Sequence, residues 1–190
     1  MKQFLLIAAL SFALGAAACE QQVQRADQPE GPRMDAPTPE AEPARVFAPE
    51  SENARTVTGR LTLTLTTRMP DAESAQSGPT DVLSLRTQTG LAAEATLEGT
   101  SAPSATVEGQ TIRALMELPV DASQTLVYRV TEETAPGGRR LCGERETTRL
   151  VIWEPEAPGA DGLRMLALAG DAPGQAGAVA CGAFAYTRAE

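Results

Sequence analysis

From residue 56 onward, apolar and polar residues alternate with a period of two, which places successive side chains on opposite faces of a β-strand. The clearest run is Leu61, Leu63 and Leu65, separated by threonines. Residues 163–169 are apolar on both faces, which predicts a central strand. Similar alternation predicts further strands near residues 82–87, 91–97, 111–118, 125–131, 149–153 and 183–188.

Turn-forming residues separate these runs, including Ser-Gly-Pro at 77–79 and Pro-Gly-Gly at 136–138. Strands at intervals of roughly ten residues are typical of antiparallel sandwiches and barrels. No segment after residue 55 carries a convincing long helical period. The pattern therefore predicts an all-β domain over residues 56–190, a small antiparallel sandwich or barrel of about seven to nine strands.

Residues 19–55 have a different composition from the predicted β-domain. Prolines and acidic residues recur through this stretch, and apolar residues are sparse. Such a segment buries too little apolar surface to offset the entropy lost on ordering its backbone. We expect a disordered, self-repelling tether that precedes the β-domain.

The N-terminus has the form of an export signal. Lys2 precedes an apolar run at residues 4–14, which is too short for a stable membrane span. Small residues then lead to Cys19, and this Gly-Ala-Ala-Ala-Cys sequence resembles the lipobox of bacterial lipoproteins. The resemblance implies a signal peptide at residues 1–18 and a lipid anchor on Cys19. Ala16 and Ala18 also satisfy the A-x-A rule of ordinary signal peptidase, so simple secretion stays open as the alternative.

The lipoprotein interpretation predicts a cellular location and accounts for the three cysteines. It implies a protein anchored in the cell envelope. We expect it at the outer membrane facing the periplasm, and the inner membrane stays open as the alternative. With Cys19 lipidated, Cys142 and Cys181 remain, and an oxidising compartment makes a disulfide between them the default expectation. If the last three strands form a meander, the bridge must lie beyond the strand ends, because alternate strands are too far apart for a disulfide.

The two cysteines share a local pattern. Each begins a C-G-x4-T-R sequence, at Cys142 and again at Cys181. Residues 141–186, which contain both elements, resemble the C-terminal part of uncharacterised envelope proteins of proteobacteria. That resemblance implies an envelope location and no known activity.

Composition excludes several chemistries. The chain has no histidine, and its only lysine is Lys2 in the signal peptide. Imidazole-dependent triads, the usual zinc sites and lysine Schiff bases are therefore ruled out. Without residues 1–18, fifteen arginines face twenty-five acids, a formal charge of −10, which disfavours nucleic acid as a partner. We expect no catalytic residues, no metal site and no cofactor.

One group of residues is the candidate recognition surface: Arg139, Arg140 and Glu144 around Cys142, together with Trp153, the only tryptophan. Exposed charge clusters and half-buried tryptophans are also ordinary features of a β-domain. The resulting hypothesis is a membrane-anchored, non-catalytic domain with a structural or binding role, whose partner is an envelope protein or a protein that it inhibits. The alternatives are a carboxylate-dependent hydrolase and a lipocalin-like carrier of a small ligand.

Overall fold

The computed structural model describes residues 42–69, 78–155 and 162–189. Ten strands lie in these ranges, together with one short α-helix, α1 (Ile112–Met116). The strands are β1 (Arg45–Pro49), β2 (Leu61–Arg68), β3 (Thr80–Thr87), β4 (Ala92–Ser101), β5 (Thr106–Val107), β6 (Gln110–Thr111), β7 (Thr125–Thr134), β8 (Arg149–Trp153), β9 (Leu163–Gly170) and β10 (Ala178–Arg188).

Eight of these strands form a closed antiparallel barrel. Apart from β5 and β6, each strand pairs with the strands before and after it in the chain, and β1 closes the barrel by pairing with both β2 and β10. The order is therefore up-and-down, which confirms the all-β prediction and selects the barrel over the sandwich. Strands β5 and β6 form a separate two-stranded hairpin.

Strand β1 corrects the predicted domain boundary. Residues 45–49 fall inside the stretch that the sequence assigned to the tether, yet Phe47 pairs with Leu61 on one side and Arg188 on the other. The barrel therefore includes β1, and the boundary predicted at residue 55 falls too late in the chain. The predicted signal peptide and residues 19–41 of the tether lie outside the described residues.

The barrel interior is built by the alternation that the sequence displays. Every second residue points inward, and all eight strands contribute buried side chains. These include Phe47, Leu61, Leu85, Ala93, Tyr128, Leu150, Met165 and Tyr186. Eight strands enclose a space just wide enough to be filled by side chains or to hold one small ligand.

The strand predicted at residues 111–118 is wrong, because this segment forms β6 and then α1. The Thr111 side chain caps the helix by accepting a hydrogen bond from the Ala114 amide at 3.2 Å. Ile112 and Met116 are four residues apart, so they share a face of the helix as well as a face of a strand. The apolar spacing is therefore compatible with either structure.

Helix α1 and the β5–β6 hairpin cover the outside of the barrel at β8, β9 and β10. Ile112 and Met116 pack into a second apolar cluster with Val151, Leu166 and Leu168, whose side chains point outward. This cover explains why β9 is apolar on both faces, and it confirms the prediction for residues 163–169.

Candidate functional site

The disulfide between Cys142 and Cys181 joins a connecting segment to a barrel strand. The two Cα atoms are 4.8 Å apart. Cys142 lies between β7 and β8, and Cys181 lies in β10 where a bulge interrupts the pairing with β9. The bridge therefore begins outside β8, as the spacing of alternate strands requires, and the predicted cysteine pairing is present.

Residues 135–148, here called the pinned loop, are fixed at further points. Leu141 is buried in the barrel core, and its amide donates to Oε1 of Glu133 at 2.9 Å. The same oxygen accepts from the Thr147 hydroxyl at 3.1 Å. A tight hairpin surrounds the cysteine, with the Gly143 amide donating to the Arg140 carbonyl at 3.0 Å. The loop is thus preorganised around Cys142.

Two other segments meet the pinned loop at this end of the barrel. They are a π-helical turn, Ala54–Thr58, and the β3–β4 turn at residues 88–91. The Thr89 hydroxyl donates to the Val57 carbonyl at 3.0 Å, which joins the two turns. Deeper in the barrel, the Thr58 and Tyr186 hydroxyls are 2.7 Å apart. Burial raises the pKa of Tyr186 to about 12, so this phenol stays protonated at neutral pH.

The structure brings together three of the four predicted recognition residues. Arg139 and Glu144 are exposed on the pinned loop, and Arg140 is half-buried. Arg139 lines a concavity of about 200 Å³ with Val57, Leu91 and other residues of the two turns. Arg140 borders a smaller one of about 70 Å³ beside Glu133. This surface therefore places arginine side chains beside two small concavities.

Trp153 does not belong to that surface. It ends β8 and pairs with Arg164 at the start of β9, whereas the pinned loop precedes the other end of β8. Trp153 lies four positions along the extended strand from Arg149, a distance of about 13 Å. Its side chain packs against the outer apolar cluster, so it is a packing residue of the outer layer.

Sequence reasoning missed a charge network on the outer wall of β4, β7 and β8. Glu98 accepts from Nε of Arg149 at 2.8 Å and also pairs with Arg129. The hydrogen bond from Arg149 is the main cause that lowers the pKa of Glu98, although partial burial opposes it. Glu98 lies at a bulge between Leu97 and Gly99, and no sequence signal reveals the position of that bulge.

Cys19, the predicted lipidation site, lies outside the described residues. None of the helices in the described ranges has the length and apolar character of a membrane span. In the same part of the chain, no group of three or more acidic or cysteine side chains is arranged to hold a metal ion.

Comparisons of the chain with protein-family models, with curated proteins and with solved structures find no match.

Proposed function

We propose that this chain is a membrane-anchored envelope lipoprotein whose β-barrel binds another protein and performs no catalysis. The lipobox-like sequence at Cys19 supports the anchor, and the proposed location is the outer membrane, facing the periplasm. The partner is a protein of the envelope or one that enters it, and binding to the second kind would amount to inhibition.

The observation that carries the binding function is the pinned loop. A disulfide, a buried leucine and the Glu133 carboxylate fix the backbone, while Arg139 and Glu144 remain exposed. A loop that is already ordered loses little conformational entropy when it binds. Arginine is also enriched at protein interfaces because its planar group makes several directed hydrogen bonds.

Site-specific photocrosslinking in the native cells tests the binding surface. A photoreactive residue replaces Glu144 in one variant and Arg68 in the control, because Arg68 is exposed at the far end of β2. We expect a discrete adduct from position 144 and none from position 68. The variant R139E/R140E, with the crosslinker at 144, should lose the adduct. Equal labelling from both positions, or none from 144, would contradict the proposal.

The anchor has its own test, which does not depend on any partner. A Cys19→Ala variant should lose incorporation of radiolabelled fatty acid and leave the membrane fraction. Fatty-acid labelling that persists in this variant would contradict lipidation at Cys19.

The second candidate is a carrier of a small apolar ligand. An eight-stranded up-and-down barrel is compatible with either a binding domain or a carrier. The large interior side chains, such as Leu61, Met165 and Tyr186, argue against a carrier, because they are fully buried and occupy the space that a ligand would need. Titration with a fluorescent apolar probe distinguishes the two, because saturable uptake with one probe per chain would favour the carrier.

The hydrolase alternative needs two acids in a concavity, and the larger concavity that contains acids has Glu94 on β4 and Glu132 on β7. They are direct partners across the two strands and are both exposed, so their carboxylates project side by side from one wall. The two carboxylates of a glycosidase flank the scissile bond. This arrangement therefore supports binding in preference to hydrolysis.

A further inference from the structure

A groove crosses the outer wall of the barrel over β2, β3, β4 and β7. It consists of two concavities, of about 390 and 410 Å³, which share Arg86. Small residues, including Ser84 and Ala92, form the middle of the groove. Glu132 and Thr134 line its far side and lead directly into the pinned loop, so the groove reaches the same end of the barrel.

The charges in this groove are sorted by sign. Arg86 pairs with Thr62 across β2 and β3, and Arg60 lies two residues before Thr62, diagonally across from Arg86. The second concavity also contains Thr62, Thr87 and Gln88 and has no acid in its lining. One side of the groove therefore presents two neighbouring arginines and hydrogen-bonding side chains.

The other side presents two acids in direct opposition, because Glu94 pairs with Glu132. Like charges directly opposite each other destabilise a sheet. In the described part of the chain, the ion pairs do not involve either of these acids or Arg60 and Arg86. The free barrel thus keeps one like-charge pair in direct opposition, Glu94 and Glu132, while Arg86 lies diagonally beside both Arg60, which directly precedes β2, and Glu94 on β4.

We propose that this groove binds an extended segment of a protein partner, with acidic side chains against Arg60 and Arg86 and basic side chains against Glu94 and Glu132. Charge complementarity selects this occupant, since only a ligand with both signs matches the arginines at one side of the groove and the acids at the other. The midpoint of Arg60 and Arg86 lies two strand spacings across the sheet and three residues along the strands from the midpoint of Glu94 and Glu132. The two midpoints are therefore about 14 Å apart, which an extended chain spans in about four residues. The inference rests on the proposed binding function and specifies the chemistry of the partner.

A short synthetic peptide tests the charge order. The probe is Gly-Glu-Glu-Gly-Gly-Lys-Lys-Gly with blocked termini, and the control is Gly-Glu-Lys-Gly-Gly-Lys-Glu-Gly, which has the same composition. Titrated into the full mature chain, the probe should shift the amide NMR signals of Ser84, Arg86 and Glu94 saturably. The control peptide should bind at least about tenfold more weakly, and added salt should weaken the probe.

Charge reversal on the protein separates order from net charge. The variant R60E/R86E should lose at least about tenfold in affinity for the probe, because the groove then carries one sign. Adding E94K/E132K to that variant should restore binding, because the probe can then lie in the opposite direction. The matched control, Arg68→Glu, changes an exposed arginine on the same strand outside the groove and should leave affinity unchanged.

Three results would overturn the inference. They are equal binding of the two peptides, failure of the fourfold reversal to restore binding, or saturation by inorganic phosphate that is indifferent to Glu94 and Glu132. The last would make the groove a simple anion site. The crosslinking experiment at position 144 is independent of the groove. A discrete adduct at position 144, together with equal binding of the two peptides, would reject this inference and leave the proposed binding function intact.

Discussion

The hydroxyl of Tyr186 lies 2.7 Å from Oγ1 of Thr58, and both residues are fully buried. Oγ1 of Thr58 also donates to the Ala54 carbonyl at 2.8 Å. Because a hydroxyl has one proton to donate, the tyrosine must donate to the threonine. This bond joins the π-helical turn, whose Ala54 is buried in the barrel core, to strand β10 of the barrel wall.

The direction of that bond predicts an order of stability among three variants. Y186F removes one hydrogen bond and leaves Thr58 bonded to Ala54, at a cost of about 0.5–1.5 kcal/mol. T58V leaves the buried tyrosine hydroxyl without an acceptor and should cost about 1–3 kcal/mol. The double variant should cost less than the two single losses added together. Urea unfolding measures all three, and a larger loss for Y186F than for T58V would contradict the assigned direction.

The two tyrosines of the chain should both resist ionisation while the barrel is folded. Burial raises the pKa of Tyr186 to about 12, and burial followed by the nearby Asp81 and Glu154 raises the pKa of Tyr128. The unfolded value is 10.0, so the unfolded chain loses these protons first. The resulting stability is fully present below pH 10 and is lost as pH rises towards 12.

Phenolate absorbance measures this shift directly. In denaturant, both tyrosines should titrate near pH 10, whereas the folded chain should show little phenolate there. Y186F removes the more shifted of the two groups and should leave the Tyr128 transition alone. A folded chain that titrates with the unfolded midpoint would mean that both phenols reach solvent.

Removing the disulfide should loosen the pinned loop and leave the barrel folded. The bridge closes a separation of 39 residues, for which loop-closure entropy predicts a loss of about 3–4 kcal/mol in the C142A/C181A variant. Barrel pairing does not depend on the bridge, so the far-ultraviolet circular dichroism spectrum should stay native in shape. Reduced wild-type protein is the matched control and should unfold at the same denaturant concentration as the variant. An unfolded variant would show that the barrel itself needs the disulfide.

The elements that the sequence predicted correctly share one property, which is that local periodicity decides them. Leu61, Leu63 and Leu65 alternate with threonines, and the structure places them on the interior face of β2. Periodicity failed at residues 111–118, because apolar residues at every second position also recur every fourth. It also missed β1, a five-residue strand with prolines nearby, which is held by pairing with distant strands.

The sequence predicted the disulfide of the site correctly, because the pairing followed from the number of cysteines. With Cys19 assigned to the lipid, Cys142 and Cys181 were left to pair. By contrast, nothing in the sequence showed that Trp153 lies at the end of β8 remote from the pinned loop, which contains Arg139. The groove could not be predicted from the sequence either, because it depends on how the strands pair. The opposition of Glu94 and Glu132 depends on register, and a bulge between Glu94 and Ala95 shifts that register. Bulge positions follow from packing and not from any local pattern.

The lowered pKa of Glu98 predicts a pH-dependent contribution to stability. Its hydrogen bond with Arg149, and then the one with Arg129, favour the ionised carboxylate in the folded state. The contribution is therefore present above the unfolded value of 4.5 and is lost as pH falls through the lower folded value. Glu98→Gln should be less stable than wild type at neutral pH, and the difference should shrink as the solution is acidified.

Chemical unfolding across this pH range measures the effect. Glu52→Gln is the control, because Glu52 is exposed and its side chain makes none of the ion pairs found in the described ranges. A stability difference between Glu98→Gln and wild type that stays constant with pH would assign the effect to packing instead of charge.

Replacing one acid of the Glu94–Glu132 pair should stabilise the free barrel. E94K turns a like-charge pair in direct register into an opposite-charge pair, which predicts a gain of about 0.2–1 kcal/mol. The E94K/E132K variant restores a like-charge pair of the other sign and should return close to wild type. Unfolding at low and high salt measures the gain, which should shrink as salt screens the exposed charges. Because E94K also gives the groove a second basic centre, it should weaken binding of the charge-ordered peptide while it raises stability. A variant that is less stable than wild type at low salt would mean that Glu94 already has a favourable partner in the free protein.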